Sequence, residues 1–113
     1  MVPLAAGAVV LVRFPFSDLS QTKLRPAVVL AHSGKDDWIL CQVTSNPYRD
    51  ASAVEIDNSS FISGSLNVTS FARPGKLFTA DASLVHSTVG SLKPTPFHQI
   101  VEALVAIVRP KRS

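Results

Sequence analysis

Short apolar runs rich in β-branched residues recur along this chain of 113 residues. The first two, at residues 8–14 and 27–32, have the length of strands and flank a polar segment of residues 15–26, so they predict a hairpin with a long loop. A loop of that length in a small protein is uncommon unless it covers a site. Further short strands are predicted at residues 38–44, 53–56, 68–72 and 76–79. The chain is therefore expected to be mainly β.

The third run shows the alternation of a strand that has two different faces. A period of two places Ile39, Cys41 and Val43 on one face, and the other face carries Trp38, Leu40, Gln42 and Thr44. This second face becomes polar toward the end of the strand. Further along the chain, residues 73–75 have the composition of a turn, and residues 81–85 are expected to form one helical turn.

One amphipathic helix is predicted near the C-terminus. Thr95 is the expected N-cap and Pro96 the first helical residue, while Pro110 ends the helix. Apolar residues recur between them at helical spacing: Phe97, Ile100, Val101, Leu104, Ile107 and Val108. This stripe exceeds what one barrel face needs, which suggests either burial against a second subunit or a helix sunk deeply between barrel and loop. Six or so strands closed by this helix describe a small SH3-like β-barrel with a C-terminal α-helix, in one domain over residues 1–113.

The composition excludes several classes of protein. Hydrophobic residues make up 46% of the chain and charged residues 17%, as in globular proteins. The single cysteine excludes a disulfide scaffold and a multi-cysteine zinc site, which makes the reducing cytoplasm the expected compartment. No apolar run approaches the roughly 18 residues of a membrane span, so no membrane partner is expected. The net charge of +3 is weak support for nucleic-acid binding, because basic residues cluster at the extreme C-terminus.

Several segments, taken in order, resemble the MazF/PemK family of type II toxin–antitoxin toxins. The resemblance begins with GAVVLV at residues 7–12, Pro15-Phe16 and LRPAVVL at residues 24–30. It continues with ILCQVTS at residues 39–45, GSL at 64–66 and KLFTAD at 76–81. These segments cover roughly residues 7 to 108, which no single short motif could imitate by chance. The family usually has Gly-Asp where this chain has Gly7-Ala8, and its members commonly have paired glycines in the loop that residues 17–24 form here.

The resemblance implies a fold, an activity and partners. The fold would be the β-barrel of the MazF/CcdB/Kid toxins, assembled as a cytoplasmic homodimer. The activity would be that of an endoribonuclease, an mRNA interferase that cuts single-stranded RNA at a short sequence without a metal or another cofactor. The products would be a cyclic phosphate and a 5′-hydroxyl. A cognate antitoxin would silence the enzyme by occupying its RNA groove.

The family's two catalytic positions fall on Arg25 and Thr44. Residues expected to contact RNA are Phe16, Ser20, Gln21, Lys23, Ser65, Ser70 and Arg73, of which the last three match the family more loosely. A second argument supports Phe16: a phenylalanine on a polar loop is costly to expose unless it contacts a base or a partner.

Metal-free cleavage of RNA needs removal of the 2′-hydroxyl proton, stabilisation of the charge on the phosphoryl oxygens, and protonation of the leaving oxygen. Arg25 meets the second need, because its planar guanidinium can bind two phosphate oxygens at once. Thr44 could add one hydrogen bond to the same oxygens. The general base stays open: the resemblance suggests Arg25, but arginine remains protonated at any ordinary pH. Histidine titrates near neutral pH, so His32, His86 and His98 are also candidates, although nothing in their spacing brings two together.

Two other functions compete with the nuclease. The same fold serves toxins that inhibit DNA gyrase, which bind a protein and catalyse nothing. A degenerate member of the family could also only sequester an antitoxin. The presence of both Arg25 and Thr44 favours the nuclease over either.

Overall fold

The computed structural model describes residues 4–14 and 23–111. Within them, one curled antiparallel sheet of seven strands is followed by one α-helix, α1, at Pro94–Val108. The strands are β1 Ala8–Phe14, β2 Lys23–Gly34, β3 Asp37–Thr44, β4 Val54–Ile56, β5 Phe61–Gly64, β6 Ser70–Asp81 and β7 Val85–Leu92. Their order across the sheet is β4-β6-β3-β2-β1-β7-β5. The predicted mainly β fold with a C-terminal helix is confirmed, and the sheet forms a half-barrel. None of the described helices is long and apolar enough to cross a membrane.

Each face of the sheet has its own apolar cluster, because successive side chains of a strand point to opposite faces. The first cluster includes Val28, Cys41 and Val43 and is covered by Ile100 of α1. The second cluster includes Val29 and Leu40 and lies on the opposite face. The alternation predicted for β3 is confirmed: Ile39, Cys41 and Val43 belong to the first cluster, and Leu40 with Trp38 to the second.

The ladder between β2 and β3 stops before the strands themselves end. Its last pair toward the start of β2 is Ala27 with Gln42. The preceding residue, Pro26, has no N–H to donate, so it cannot continue a ladder on that side. β2 nevertheless extends back to Lys23 because β1 pairs with its other edge, including Leu11 opposite Pro26. The two strands therefore separate at the end where Arg25 and Thr44 lie.

The turn predicted at residues 73–75 is wrong. β6 runs through this segment without reversing, and β3 remains its partner on both sides. The register changes there: Gln42 lies opposite Arg73, whereas Cys41 lies opposite Leu77. The residues between form a bulge, which is where a sheet tolerates a proline such as Pro74.

The predictions also missed β5 and β7 and placed the helix start too late. The helical turn expected at residues 81–85 is present as a 3-10 turn at Ala82–Leu84, and β7 follows it. Helix α1 has Lys93 as its N-cap, with no side-chain capping bond, instead of Thr95. It can start at Pro94 because the first residues of a helix need no backbone donor, and the proline ring already has the helical φ.

Candidate functional site

An open groove of about 440 Å³ lies where β2 and β3 separate. One wall comes from the start of β2 and the end of β3, and the other from the segments that precede β6. The described residues that line it are Arg25, Pro26, Gln42, Val43, Thr44, Ser45, Tyr48, Leu66, Val68 and Ser70. The loss of pairing at Pro26 thus creates a cleft with both predicted catalytic residues in its wall.

Arg25 carries the only charge in the described lining of this groove. It is exposed, and it forms no ion pair with a described residue. Arg25 lies two residues before Ala27 on β2, and Thr44 lies two residues after its partner Gln42 on β3, so both belong to the strand ends that diverge around the groove. Since no described carboxylate lines the groove, a bound phosphate would meet this guanidinium without repulsion from a neighbouring negative charge.

Thr44 is half-buried at the end of β3, and its hydroxyl is already oriented. The backbone N–H of Asn46 donates to Thr44 Oγ1 at 3.2 Å. Because this bond uses an oxygen lone pair, the hydroxyl proton remains available to donate to a ligand. Arg25 and Thr44 together therefore offer a fork of guanidinium donors and one hydroxyl donor from adjacent strands.

Three other residues predicted to contact RNA, Ser65, Ser70 and Lys23, differ in whether they line the groove. Ser70 lines the groove, is buried, and donates its hydroxyl to the Val68 carbonyl at 3.1 Å. Ser65 is next to the lining residue Leu66, but its hydroxyl bonds to Asn58 and accepts from the backbone of Asn67. Lys23 is exposed two residues before Arg25 and on the same face of β2. Their contacts with RNA stay predictions.

Arg73 does not line the described part of the groove. Its Nε donates to Asp50 Oδ2 at 2.9 Å in a half-buried ion pair. Its guanidinium carbon lies 5.6 Å from the ring centroid of Tyr48, a groove residue. Arg73 therefore contacts one groove residue, Tyr48, and is held by the acidic side chain of Asp50.

The three histidines do not line the described part of the groove, and each has its own local partner. His32 bonds to the Lys35 carbonyl and packs on Trp38, His86 bonds to Ser87, and His98 lies beside Phe97. Within residues 4–14 and 23–111, no three His, Cys, Asp or Glu side chains are grouped as a metal site requires.

Cys41 is fully buried between β2 and β6, and this burial raises the pKa of its thiol to about 12. The sulfur therefore stays protonated at physiological pH. A protonated thiol is a poor nucleophile, so Cys41 is a structural residue.

The sequence profile of the PemK-like, MazF-like toxins of type II toxin–antitoxin systems matches residues 5–108. The chain belongs to this family. The resemblance inferred from the sequence motifs is confirmed. None of the curated protein sequences compared with the chain matches it significantly.

Solved structures of MazF toxins share the fold of this toxin. An endoribonuclease from a Mycobacterial species, in complex with its cognate antitoxin, is 13% identical, with 100% of both chains covered and a TM-score of 0.74. A MazE-MazF structure from Deinococcus radiodurans is 19% identical, with 98% of this chain and 100% of that one covered and a TM-score of 0.75. The Mycobacterium tuberculosis toxin MazF-mt6 is 16% identical, with 93% and 99% covered and a TM-score of 0.72. At these identities the likeness shows a common architecture.

Three of the predicted RNA contacts of the toxin, Phe16, Ser20 and Gln21, lie outside the described residues. Sequence reasoning missed Tyr48, which lines the groove and is 65% exposed. Tyr48 follows Asn46-Pro47, which signals a turn, but no periodicity shows where a turn directs its side chains. Its position in the groove could be found only from the structure.

The Arg73–Asp50 ion pair should make the stability of the toxin depend on acid pH. The hydrogen bond from Arg73 holds the pKa of the Asp50 carboxyl below its usual value of about 4. A lowered folded-state pKa means that the stabilisation is fully present above the unfolded-state pKa and is lost as the pH falls through the folded-state value. Asp50→Asn should therefore lower the free energy of unfolding by roughly 1 kcal/mol at pH 7. The difference between wild type and variant should shrink below about pH 4.

Urea unfolding at pH 7 and pH 3 would measure both values. Asp36→Asn is the matched control, because Asp36 is exposed and forms no ion pair with a described residue. Equal pH dependence in wild type and Asp50→Asn would show that this pair does not stabilise the fold.

Proposed function

We propose that this toxin is a sequence-specific endoribonuclease that cuts single-stranded RNA without a metal. The observation that carries the proposal is the meeting of Arg25 and Thr44 in one open groove whose described lining holds no carboxylate. The expected products are a cyclic phosphate and a 5′-hydroxyl. These are the products of attack by the neighbouring 2′-hydroxyl on the phosphorus, with departure of the 5′-oxygen.

The two side chains suit the stabilisation of charge in the transition state. Negative charge builds on the non-bridging oxygens as the 2′-oxygen attacks, and the Arg25 fork binds those oxygens more strongly as their charge grows. The Thr44 hydroxyl adds a donor that is already oriented by its bond from Asn46. A guanidinium stays protonated, so Arg25 acts in this scheme as an electrostatic clamp and hydrogen-bond donor, and the proton lost by the 2′-hydroxyl is balanced by the one that the 5′-oxygen takes up from solvent in the open groove.

The comparisons support this choice over a gyrase inhibitor or a passive antitoxin binder. Two of the structural relatives are named endoribonucleases, and one of them is in complex with its cognate antitoxin. The groove is lined by Arg25 and Thr44, the two residues on which the family resemblance puts the catalytic positions. A protein that only bound an antitoxin would not need an arginine without an ion pair to any described residue in the same groove as an oriented hydroxyl.

The proposed setting is the cytoplasm, where the toxin would act as a homodimer and be silenced by a cognate antitoxin. The last turn of α1 supports a second subunit, because Ile107 and Val108 are 45% and 64% exposed. Pairing with a second copy through this turn would remove their apolar surface from water, which favours association. Light scattering on the purified protein should give twice the mass of 12.1 kDa. A monomer at micromolar concentration would contradict this part of the proposal.

The activity is tested by incubating purified toxin with a long single-stranded RNA in EDTA and mapping the fragment ends. We expect cleavage at a recurring short sequence and cyclic phosphate ends. Cleavage that needs added magnesium would contradict metal independence. Intact RNA under all conditions, together with inhibition of gyrase supercoiling, would replace the nuclease by a protein-binding toxin.

Thr44→Val should lower kcat for RNA cleavage by roughly 100-fold, because it removes one donor to the transition state and keeps the shape of the side chain. Thr44→Ser keeps the hydroxyl and should stay within about tenfold of wild type. Single-turnover cleavage of a short labelled RNA separates this effect from binding. If both variants lose the same factor, the hydroxyl of Thr44 is not a donor in the reaction.

A further inference from the structure

Tyr48 is the only aromatic residue in the described lining of the groove, and the cleavage chemistry does not use it. It is 65% exposed, more than nearly all other large apolar residues of the described chain. Exposed aromatic surface of this kind is typical of a residue that meets a partner, since core packing would bury it. The position of the ring in the groove makes a ligand bound there the partner to consider.

The backbone holds Tyr48 in a conformation that tyrosine rarely adopts. Its φ is 51°, and the next residue, Arg49, also has a positive φ of 60°. Two hydrogen bonds connect Tyr48 to the proposed catalytic residue Thr44 through Asn46. The Asn46 N–H donates to Thr44 Oγ1, and the Tyr48 N–H donates to Asn46 Oδ1 at 3.0 Å. Strain of this kind persists where the surrounding bonds fix it and is concentrated at functional sites.

One face of the Tyr48 ring is occupied by a cation. The guanidinium carbon of Arg73 lies 5.6 Å from the ring centroid, and Asp50 accepts a hydrogen bond from this guanidinium. Asp50 is itself tied to the loop, because its N–H donates to the Pro47 carbonyl at 2.8 Å. The ring is therefore supported by a held cation, while most of its surface remains open to solvent.

We propose that Tyr48 is a stacking platform for an unpaired base of the RNA, next to the phosphate held by Arg25 and Thr44. This inference rests on the proposed nuclease function. Single-stranded RNA splays its bases onto aromatic side chains, and each stacked base contributes substantially to affinity. The guanidinium of Arg73 strengthens such a stack by cation–π interaction on the far face of the ring. Arg73 is then a positioning residue, because it acts on the RNA through Tyr48.

Stacking also predicts which RNA the groove prefers. Every base has an aromatic face, so a platform favours an unpaired base over a paired one and tolerates different sequences. Removing the ring should therefore weaken the binding of single-stranded RNA more than it changes the set of sequences that are cut. Tyr48 would thus be a residue that sets affinity for unpaired RNA, placed by a turn instead of by a strand.

The test compares wild type with Tyr48→Phe, Tyr48→Leu and Tyr48→Ala. Affinity is measured on a single-stranded RNA oligonucleotide that carries a 2′-deoxy sugar at the mapped cleavage site, so that it cannot be cut. If mapping finds no site, random-sequence RNA of the same length is used. We expect Tyr48→Phe to bind within about twofold of wild type, and Tyr48→Leu and Tyr48→Ala to bind roughly 10- to 100-fold more weakly. Thermal unfolding of each variant shows that the fold is retained.

A second measurement changes the RNA instead of the protein. Single abasic substitutions along the same oligonucleotide should reveal one position next to the cleaved phosphate whose loss weakens wild-type binding by about the same factor. That loss should disappear in Tyr48→Ala. Equal affinity of Tyr48→Ala and Tyr48→Phe, or an abasic scan with no such position, would overturn the stacking proposal.

The two proposals can fail separately. Cleavage by wild type with unchanged affinity in Tyr48→Ala overturns the platform and leaves the nuclease intact. RNA binding without cleavage overturns the nuclease, while the ratio between Tyr48→Phe and Tyr48→Ala still decides the platform. Absence of both cleavage and RNA binding overturns both.

Discussion

Arg25→Ala is expected to lower kcat for RNA cleavage by at least about 100-fold, with little change in stability. The loss of rate follows from removing the only charged group in the described groove lining, which is needed as charge develops on the phosphoryl oxygens. Stability should change little because Arg25 is exposed and forms no ion pair with a described residue. Single-turnover cleavage and urea unfolding measure the two effects independently.

Two further variants sharpen this prediction. Arg25→Lys keeps the charge and loses the planar fork, so it should recover only part of the lost rate. Arg13→Ala is the matched control, because Arg13 is an exposed arginine on β1 that lies opposite Leu24, on the other face of the sheet from Arg25. A comparable loss of rate in Arg13→Ala would show that general positive charge, and not the Arg25 contact, drives cleavage.

Gly64→Ala is expected to destabilise the fold by about 3 kcal/mol or more, which lowers the melting temperature by at least about 10 °C. Gly64 has a φ of +73°, and a Cβ there would lie 2.0 Å from the Val89 carbonyl oxygen. β5 and β7 approach closely at this point, since Gly64 pairs with Gly90. The backbone must therefore shift to accept even a methyl group.

Gly75→Ala is the control for this effect. Its Cβ would meet only the end of Ile107, at an ordinary contact distance of 3.6 Å. The free energy of unfolding should then change by less than about 1 kcal/mol. Similar destabilisation by both substitutions in urea unfolding would contradict the close approach of β5 and β7.

The elements that the sequence predicted well are those with strong periodicity. β1 and β3 alternate or run apolar over a full strand, and the α1 stripe repeats at helical spacing, so each was found within a residue or two. β7 was missed because its polar residues and Gly90 weaken the strand signal, although pairing with both β1 and β5 holds it in the sheet. Pro74-Gly75 has the composition of a turn, but proline and glycine also occur in bulges, so composition alone does not distinguish the bulge in β6 from a turn.

The residues of the candidate site are harder to predict from sequence than the strands and the helix. Arg25 and Thr44 lie 19 positions apart in the sequence, and isolated polar residues at strand ends carry little signal on their own. Only the family resemblance singled them out, and only the β2–β3 register explains why they meet. Tyr48 had no signal at all, since its place in the groove depends on a turn whose φ angles cannot be read from composition.

The central claim is that the Arg25 guanidinium holds the phosphate at which the RNA is cut. A crystal structure of the toxin with an RNA oligonucleotide that carries a 2′-deoxy sugar at the cleaved position tests it directly. We predict phosphate oxygens within about 3 Å of both the Arg25 guanidinium and the Thr44 hydroxyl. Bound RNA whose target phosphate lies outside this groove, with Arg25 facing solvent, would contradict the account.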